Sequence, residues 1–217
     1  MTFISFRREL LDKKLLKHSL LLNLKVGEIL DIGGVKKRRG QFQIPSHLLP
    51  HWKTLNNDKK TCPDILCELP LIKASNESFE QILMTEVLEY VPELQTLIKE
   101  CHRVLKNKGI ITLSFPFLSP LHGDSHTDSL RLTHTYFEKL ILPYFHVLEM
   151  SPMGGPLLVC FDAIKGEWIT HGKNKWWQRL WWKQFSLFKH ILMALDVYFF
   201  PNPKASTTGF WYVLKKI

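Results

Sequence analysis

The stretch 79–117 constrains this chain most, because it reads as two buried strands joined by a helix. FEQILMTE (79–86) is an apolar run of strand length. From Pro92 the spacing turns helical, with Leu94, Leu97, Ile98, Cys101, Val104 and Leu105 on one face and Gly109 as the stop. GIITLSFPF (109–117) then returns to strand character. Shorter strand candidates precede this unit, at EILDIG (28–33), HWKTLN (51–56) and DILCEL (64–69). A helix at about 134–142, a strand FHVLEM (145–150) and a last strand GFWYVLKKI (209–217) follow it. Strands alternating with helices in this way specify an α/β fold with a largely parallel sheet.

Two further segments flank or interrupt that pattern. Residues 1–22 carry Leu10, Leu11, Leu15, Leu16 and Leu20 at near-helical spacing among Arg and Lys, which predicts an N-terminal amphipathic helix. Between the sixth and seventh strands, 157–206 form a basic, tryptophan-rich insertion. Trp177, Trp181, Phe185, Phe188, Leu192, Leu195 and Phe199 follow a helical stripe there. Lys173, Lys175, Arg179, Lys183 and Lys189 have no acidic neighbour between Glu167 and Asp196. Indoles among cations suit a helix lying in a membrane interface, with 173–200 meeting an anionic surface; docking on the sheet or on a second subunit is the competing reading. The whole chain, 1–217, is expected to form one domain.

The formal charge of +9 implies an anionic partner without saying which. Cys62, Cys67, Cys101 and Cys160 lack CxxC spacing, so neither a disulfide framework nor a metal site is expected. The N-terminus has no cleavable-signal pattern and no apolar window reaches the length of a membrane span, so the expectation is a cytoplasmic protein with peripheral membrane contact. A Walker loop is excluded because no GK[ST] follows Gly33-Gly34, and GxGxxG is missing.

In an open α/β sheet, ligands bind beyond the carboxyl ends of the strands. Those ends carry Asp31, Gly33 and Gly34; Asn56 and Asp58; Glu68; Thr85 and Glu86; then Ser114, Phe115 and Pro116. Taken with SFEQILMTEVLEYV, ECHRVLKNKGIITLSFPF and HGDSHTDSLRLTHTYFEKLI, EILDIGG resembles a class I S-adenosylmethionine-dependent methyltransferase of the type 11-like small-molecule subgroup. The resemblance covers about residues 20–150 and recurs in the last strand. It implies a Rossmann-like three-layer sandwich with a seven-stranded, mostly parallel sheet of order 3-2-1-4-5-7-6, the last strand antiparallel, and a helical insertion before that strand. It also implies S-adenosylmethionine as cofactor and a small-molecule, sugar or lipid-linked acceptor.

Glycines at a strand exit let backbone approach a ligand, so Gly33 and Gly34 would lie beneath the cofactor's methionine part and Asp31 would accept from its ammonium group. Asn56, or Asp58, would bind the ribose hydroxyls; Glu68 and Leu69 would border the adenine. By the resemblance, Thr85, Glu86 and Val87 line the wall beside the sulfonium. His122 is the candidate base, with Asp128 as its orienter and His126 in reserve; tying down the loop is the alternative role for His122 and Arg131.

Two positions leave the family pattern. Val35 stands where a second glycine is expected, and Asn56 where an acid is usual. A neutral hydrogen bond contributes about 0.5–1.5 kcal/mol against about 1.5–3 for a charged one, so weaker cofactor binding is implied. A non-catalytic, methyltransferase-like binding protein is therefore the alternative. Lys36, Lys37, Arg38 and Arg39 read as a solvated loop, or as a site for a phosphate-bearing substrate or headgroup. With Gly40, Pro45 and Pro50 nearby, the usual crossover helix is expected to be short or absent. No nucleic-acid methyltransferase motif follows strands four and five, so a nucleic-acid partner is not expected.

Overall fold

A computed structural model describes residues 6–22, 27–36, 38–39, 42–121, 127–171 and 176–217. Its centre is a seven-stranded sheet. The strands are β1 (Ile29–Ile32), β2 (Trp52–Asn56), β3 (Ile65–Leu66), β4 (Phe79–Thr85), β5 (Leu105–Pro116), β6 (Phe145–Pro152) and β7 (Gly209–Lys216). In space they run β3-β2-β1-β4-β5-β7-β6, the expected order. β1 to β5 pair in parallel, and β7 lies antiparallel between β5 and β6.

Alternation along the strands divides the interior into two layers. On one face, Leu30, Ile32, Ile82, Met84, Ile111, Leu113 and Leu214 pack against α2 (Leu94–Val104) and α3 (His134–Ile141). α2 contributes the anticipated stripe, Leu94, Leu97, Ile98, Cys101 and Val104, all buried. On the other face, Ile29, Trp52, Leu83, Trp211 and Val213 pack against Leu11 and Leu15 of α1 (Phe6–Leu22) and against Phe42, Ile44 and Leu48. Fully burying each such side chain contributes about 1.5–3 kcal/mol, which holds α1 flat on the sheet.

The structure corrects three local expectations. α2 stops at Val104, and Leu105 already belongs to β5, where it pairs with Phe79. Lys108 then takes a left-handed φ of 60° and the register shifts before Ile110. A Cβ on Gly109 would press on Leu105 and on the backbone of Glu80, so this glycine serves the irregular strand and is not a helix stop. The third strand, expected over 64–69, is only Ile65–Leu66. Between β1 and β2, Arg38 and Arg39 pair with Phe42 and Gln43 in a short hairpin where a loop was expected, while Lys36 lies 3.3 Å from Asp64. No α-helix lies in this connection among the described residues.

The insertion folds as two helices, α4 (Pro156–His171) and α5 (Trp176–Phe199). The expected single apolar stripe is divided. Leu192 and Met193 turn inward with Leu158 and Phe161 onto Phe6 and Leu10 of α1, whereas Phe188, Leu195 and Phe199 face outward. Lys189 also turns inward and pairs with Glu9. Asp196 accepts from the backbone amides of Gly155 and Leu157, so α5 caps the start of α4. The side chains of Trp177, Trp181, Lys183 and Phe185 lie outside what is described, as do Lys37, Lys173 and Lys175.

Candidate functional site

The carboxyl ends of β1, β2, β4 and β5 meet at one edge of the sheet, and each contributes a polar group. β1 is buried along its whole length, including the side chain of Asp31. A carboxylate in a central strand is costly unless hydrogen-bonded. Trp52, across the β1–β2 ladder, donates its indole N–H to Asp31 Oδ2 at 3.1 Å.

The chain then turns on Gly33, whose φ is 75° and whose N–H donates to the Leu55 carbonyl at 2.8 Å. A non-glycine residue pays to adopt that backbone. Gly34 is required for another reason: a Cβ there would collide with the Asp31 carboxylate. Gly-Gly therefore wraps the turn around the acid that precedes it.

Asn56 ends β2 beside this turn. Its Nδ2 donates to the Gly34 carbonyl at 3.1 Å, and its Oδ1 accepts from the Asp58 N–H at 3.0 Å. Asp58 is exposed and caps the short turn Lys59–Thr61 by accepting from the Lys60 N–H. Asn56 thus braces the glycine turn. Glu68 is exposed beyond β3, and Leu69 packs partly into the core.

At the end of β4, Thr85 and Val87 are buried and Glu86 adopts a left-handed φ of 56°. Such a conformation in a non-glycine residue costs on the order of 1 kcal/mol and needs support from its surroundings. Ser114 Oγ donates to Glu86 Oε1 at 2.8 Å, and Arg7 of α1 lies 3.0 Å from Oε2. Arg7 also donates to Ser119 Oγ at 2.9 Å, which links α1 to the exits of both β4 and β5.

A second charged group sits beside this one. Asp128 is buried and receives a bidentate pair from Arg131, which raises the arginine's pKa, burial opposing. The backbone amides of Ser129 and Leu130 donate to the Glu89 carbonyl, which ties this loop to the turn after β4. Tyr90 in that turn is pushed up to about 12, first by burial and then by Glu89, Asp128 and Glu86. Its phenol stays protonated through the physiological range.

The structure therefore brings Asp31, Gly33, Gly34 and Asn56 into one turn, and Thr85, Glu86 and Val87 onto the adjoining strand exit. It leaves Asp58 and Glu68 at the surface. His122 and His126 lie outside the described residues, while Asp128, expected to orient a histidine, has both oxygens on Arg131. Arg7, Ser119 and Trp52 were not singled out from the sequence. Their contacts span 112 residues in the case of Arg7 and Ser119, and no local motif announces such a pair.

Residues 45–113 match the family model of a methyltransferase domain. The matched stretch runs from just before β2 into β5 and begins after the Gly33-Gly34 turn. That stretch of the chain is similar to a methyltransferase domain. Among solved structures, a provisionally assigned sarcosine dimethylglycine methyltransferase from Galdieria sulphuraria superposes with a TM-score of 0.56 at 14% identity, covering 94% of this chain and 84% of that one. The N-methyltransferase NodS from Bradyrhizobium japonicum WM9 gives 0.52 at 12% identity, over 97% and 96%. Phosphoethanolamine N-methyltransferase 2 from Haemonchus contortus, in complex with S-adenosyl-L-methionine, gives 0.51 at 13%, over 93% and 52%. No curated protein matches the chain. At these identities the likeness of the chain to solved structures is one of fold.

Proposed function

We propose that this domain uses S-adenosylmethionine to methylate a small-molecule, sugar or lipid-linked acceptor. The observation that carries the reading is the turn Asp31–Gly34 at the exit of the central strand, where both glycines are structurally required and a buried carboxylate faces the same edge as Thr85 and Glu86. The fold places that edge where α/β sheets bind ligands. A cytoplasmic chain working at the membrane surface is the setting that a lipid-linked acceptor would require.

When bound, the cofactor supplies a methyl group already activated on a sulfonium. The chain's own residues would then have to bind, align and exclude water. Gly33 and Gly34 admit the ligand close to the backbone, and the Asp31 carboxylate accepts from its ammonium group. Asn56, Asp58, Glu68 and Leu69 border the ribose and adenine, with Asn56 acting chiefly through the turn it braces. Thr85, Glu86 and Val87 would line the wall beside the sulfonium. If the acceptor carries a proton, His122 removes it, while the Asp128–Arg131 pair fixes the far end of its loop.

Calorimetry with S-adenosylmethionine tests this reading. Saturable binding that Asp31→Ala weakens at least about tenfold is expected for a lost charge-assisted contact. Folded protein that gives no heat at millimolar cofactor would favour the second reading, a binding protein without methyl transfer. One observation motivates that alternative: the Asn56 amide, at the position where an acid would meet the ribose, is already committed to the Gly34 carbonyl.

A further inference from the structure

We propose that the outward face of α5 docks this protein onto an anionic lipid surface, with the helix lying in the plane of the headgroups. The proposal is independent of the methyl-transfer reading.

α5 has two faces of different character. Lys189, Leu192, Met193 and Asp196 turn toward α1 and α4, where Lys189 meets Glu9 and Asp196 caps α4. On the other side Phe188, Ile191, Leu195, Tyr198 and Phe199 lie 61%, 56%, 42%, 79% and 61% exposed. Their spacing places them on one stripe, and in the sequence Trp177 and Trp181 stand eleven and seven residues before Phe188, in the same helical register. A contiguous apolar stripe of this kind marks an interaction surface.

Charge selects the occupant. The only acid in α5, Asp196, is buried in its cap, so the outward face presents no carboxylate among the described residues. Arg179 and Lys183 belong to the same helix, and Lys173 and Lys175 precede it in the sequence. A helix whose sequence joins an apolar, aromatic-rich stripe with cations and a single, buried acid matches an anionic interface, where burial of side chains and attraction to headgroups act together. A second copy of this chain would bring another net charge of +9 against the same cations. No described helix is long and apolar enough to cross a bilayer, so the helix would lie on the surface.

The test is flotation of the full chain with phosphatidylcholine vesicles prepared with and without phosphatidylserine. Binding is expected only to the serine-containing vesicles and should weaken as salt is raised. The triple variant Phe188→Ser, Ile191→Ser, Tyr198→Ser should bind more than about tenfold less tightly, since each position is exposed and contributes by insertion. Should that variant melt early, quenching of the parent's tryptophan fluorescence by brominated phosphatidylserine vesicles answers the same question, and no quenching overturns the proposal. It is also overturned if the parent fails to float, if it floats equally with neutral vesicles, or if a folded variant floats like the parent. Sedimentation showing a dimeric parent and a monomeric variant would assign the stripe to a second copy instead.

Discussion

Asp31, Gly34 and Asn56 form one mechanical unit, in which a buried carboxylate, the turn wrapped around it and an amide bracing that turn depend on each other. Gly34→Ala must displace either the carboxylate or the turn, so it should cost about 1–3 kcal/mol in denaturant unfolding. Gly33→Ala faces only the left-handed penalty and should cost about 1–2 kcal/mol. Asn56→Asp separates stability from function. It removes the donor to the Gly34 carbonyl and should lower stability by about 0.5–1.5 kcal/mol. If the methyl-transfer reading holds, the same change should tighten S-adenosylmethionine, because a carboxylate is the stronger acceptor for ribose hydroxyls. Calorimetry and unfolding on one preparation would show the two effects with opposite sign. The sequence made Asp31 and the glycines legible because their spacing after a strand is local. The role of Asn56 was not legible, since its residue type does not reveal which carbonyl its amide meets.

α1 works as a strap across the strand exits, which gives the helical elements a part in shaping the site. Its apolar residues hold it to the sheet, while Arg7 reaches Glu86 and Ser119. Arg7 and Glu86 are both largely shielded, with side chains 11% and 12% exposed. Removing one partner leaves a poorly solvated charge, so Arg7→Ala should cost on the order of 3 kcal/mol. Amide hydrogen exchange should speed up at the start of α1 and in the turn after Glu86, while β6 and β7 remain protected. Unchanged exchange at the Glu86 turn would show that Ser114 alone supports it. In the insertion, Asp196→Ala should cost about 0.5–2 kcal/mol by uncapping α4, read as a lower melting temperature with the sheet intact. Helical periodicity made both insertion helices legible as one apolar segment. Which part of the stripe faced inward was decided by Phe6 and Leu10, about 180 residues away in the chain, so periodicity alone could not divide it.

At the scale of the whole molecule, acid should destabilise the fold before the carboxylates titrate. His18 of α1 is buried against the sheet, with Nε2 2.6 Å from Thr112 Oγ1 and its ring edge-on to Trp211. Lys14, Lys17 and Glu149 line the same small cavity. Burial lowers the pKa of His18, with Glu149 opposing, and burial with Lys216 lowers that of His102 in the same sense. The folded state therefore holds these rings neutral to a lower pH than the unfolded chain does. Their stabilisation is complete above the unfolded value of about 6.5 and is lost progressively as pH falls toward the folded values. The chain already carries +9, and protonation of its 10 histidines would add to the self-repulsion of the compact state. Melting temperature measured from about pH 8 down to about pH 5 should fall steadily below about pH 6.5. His18→Gln keeps an amide able to meet Thr112 without the titration and should flatten part of that slope, leaving the part due to His102. A slope identical in the variant would remove His18 from the account, because the charge on the remaining histidines would then suffice.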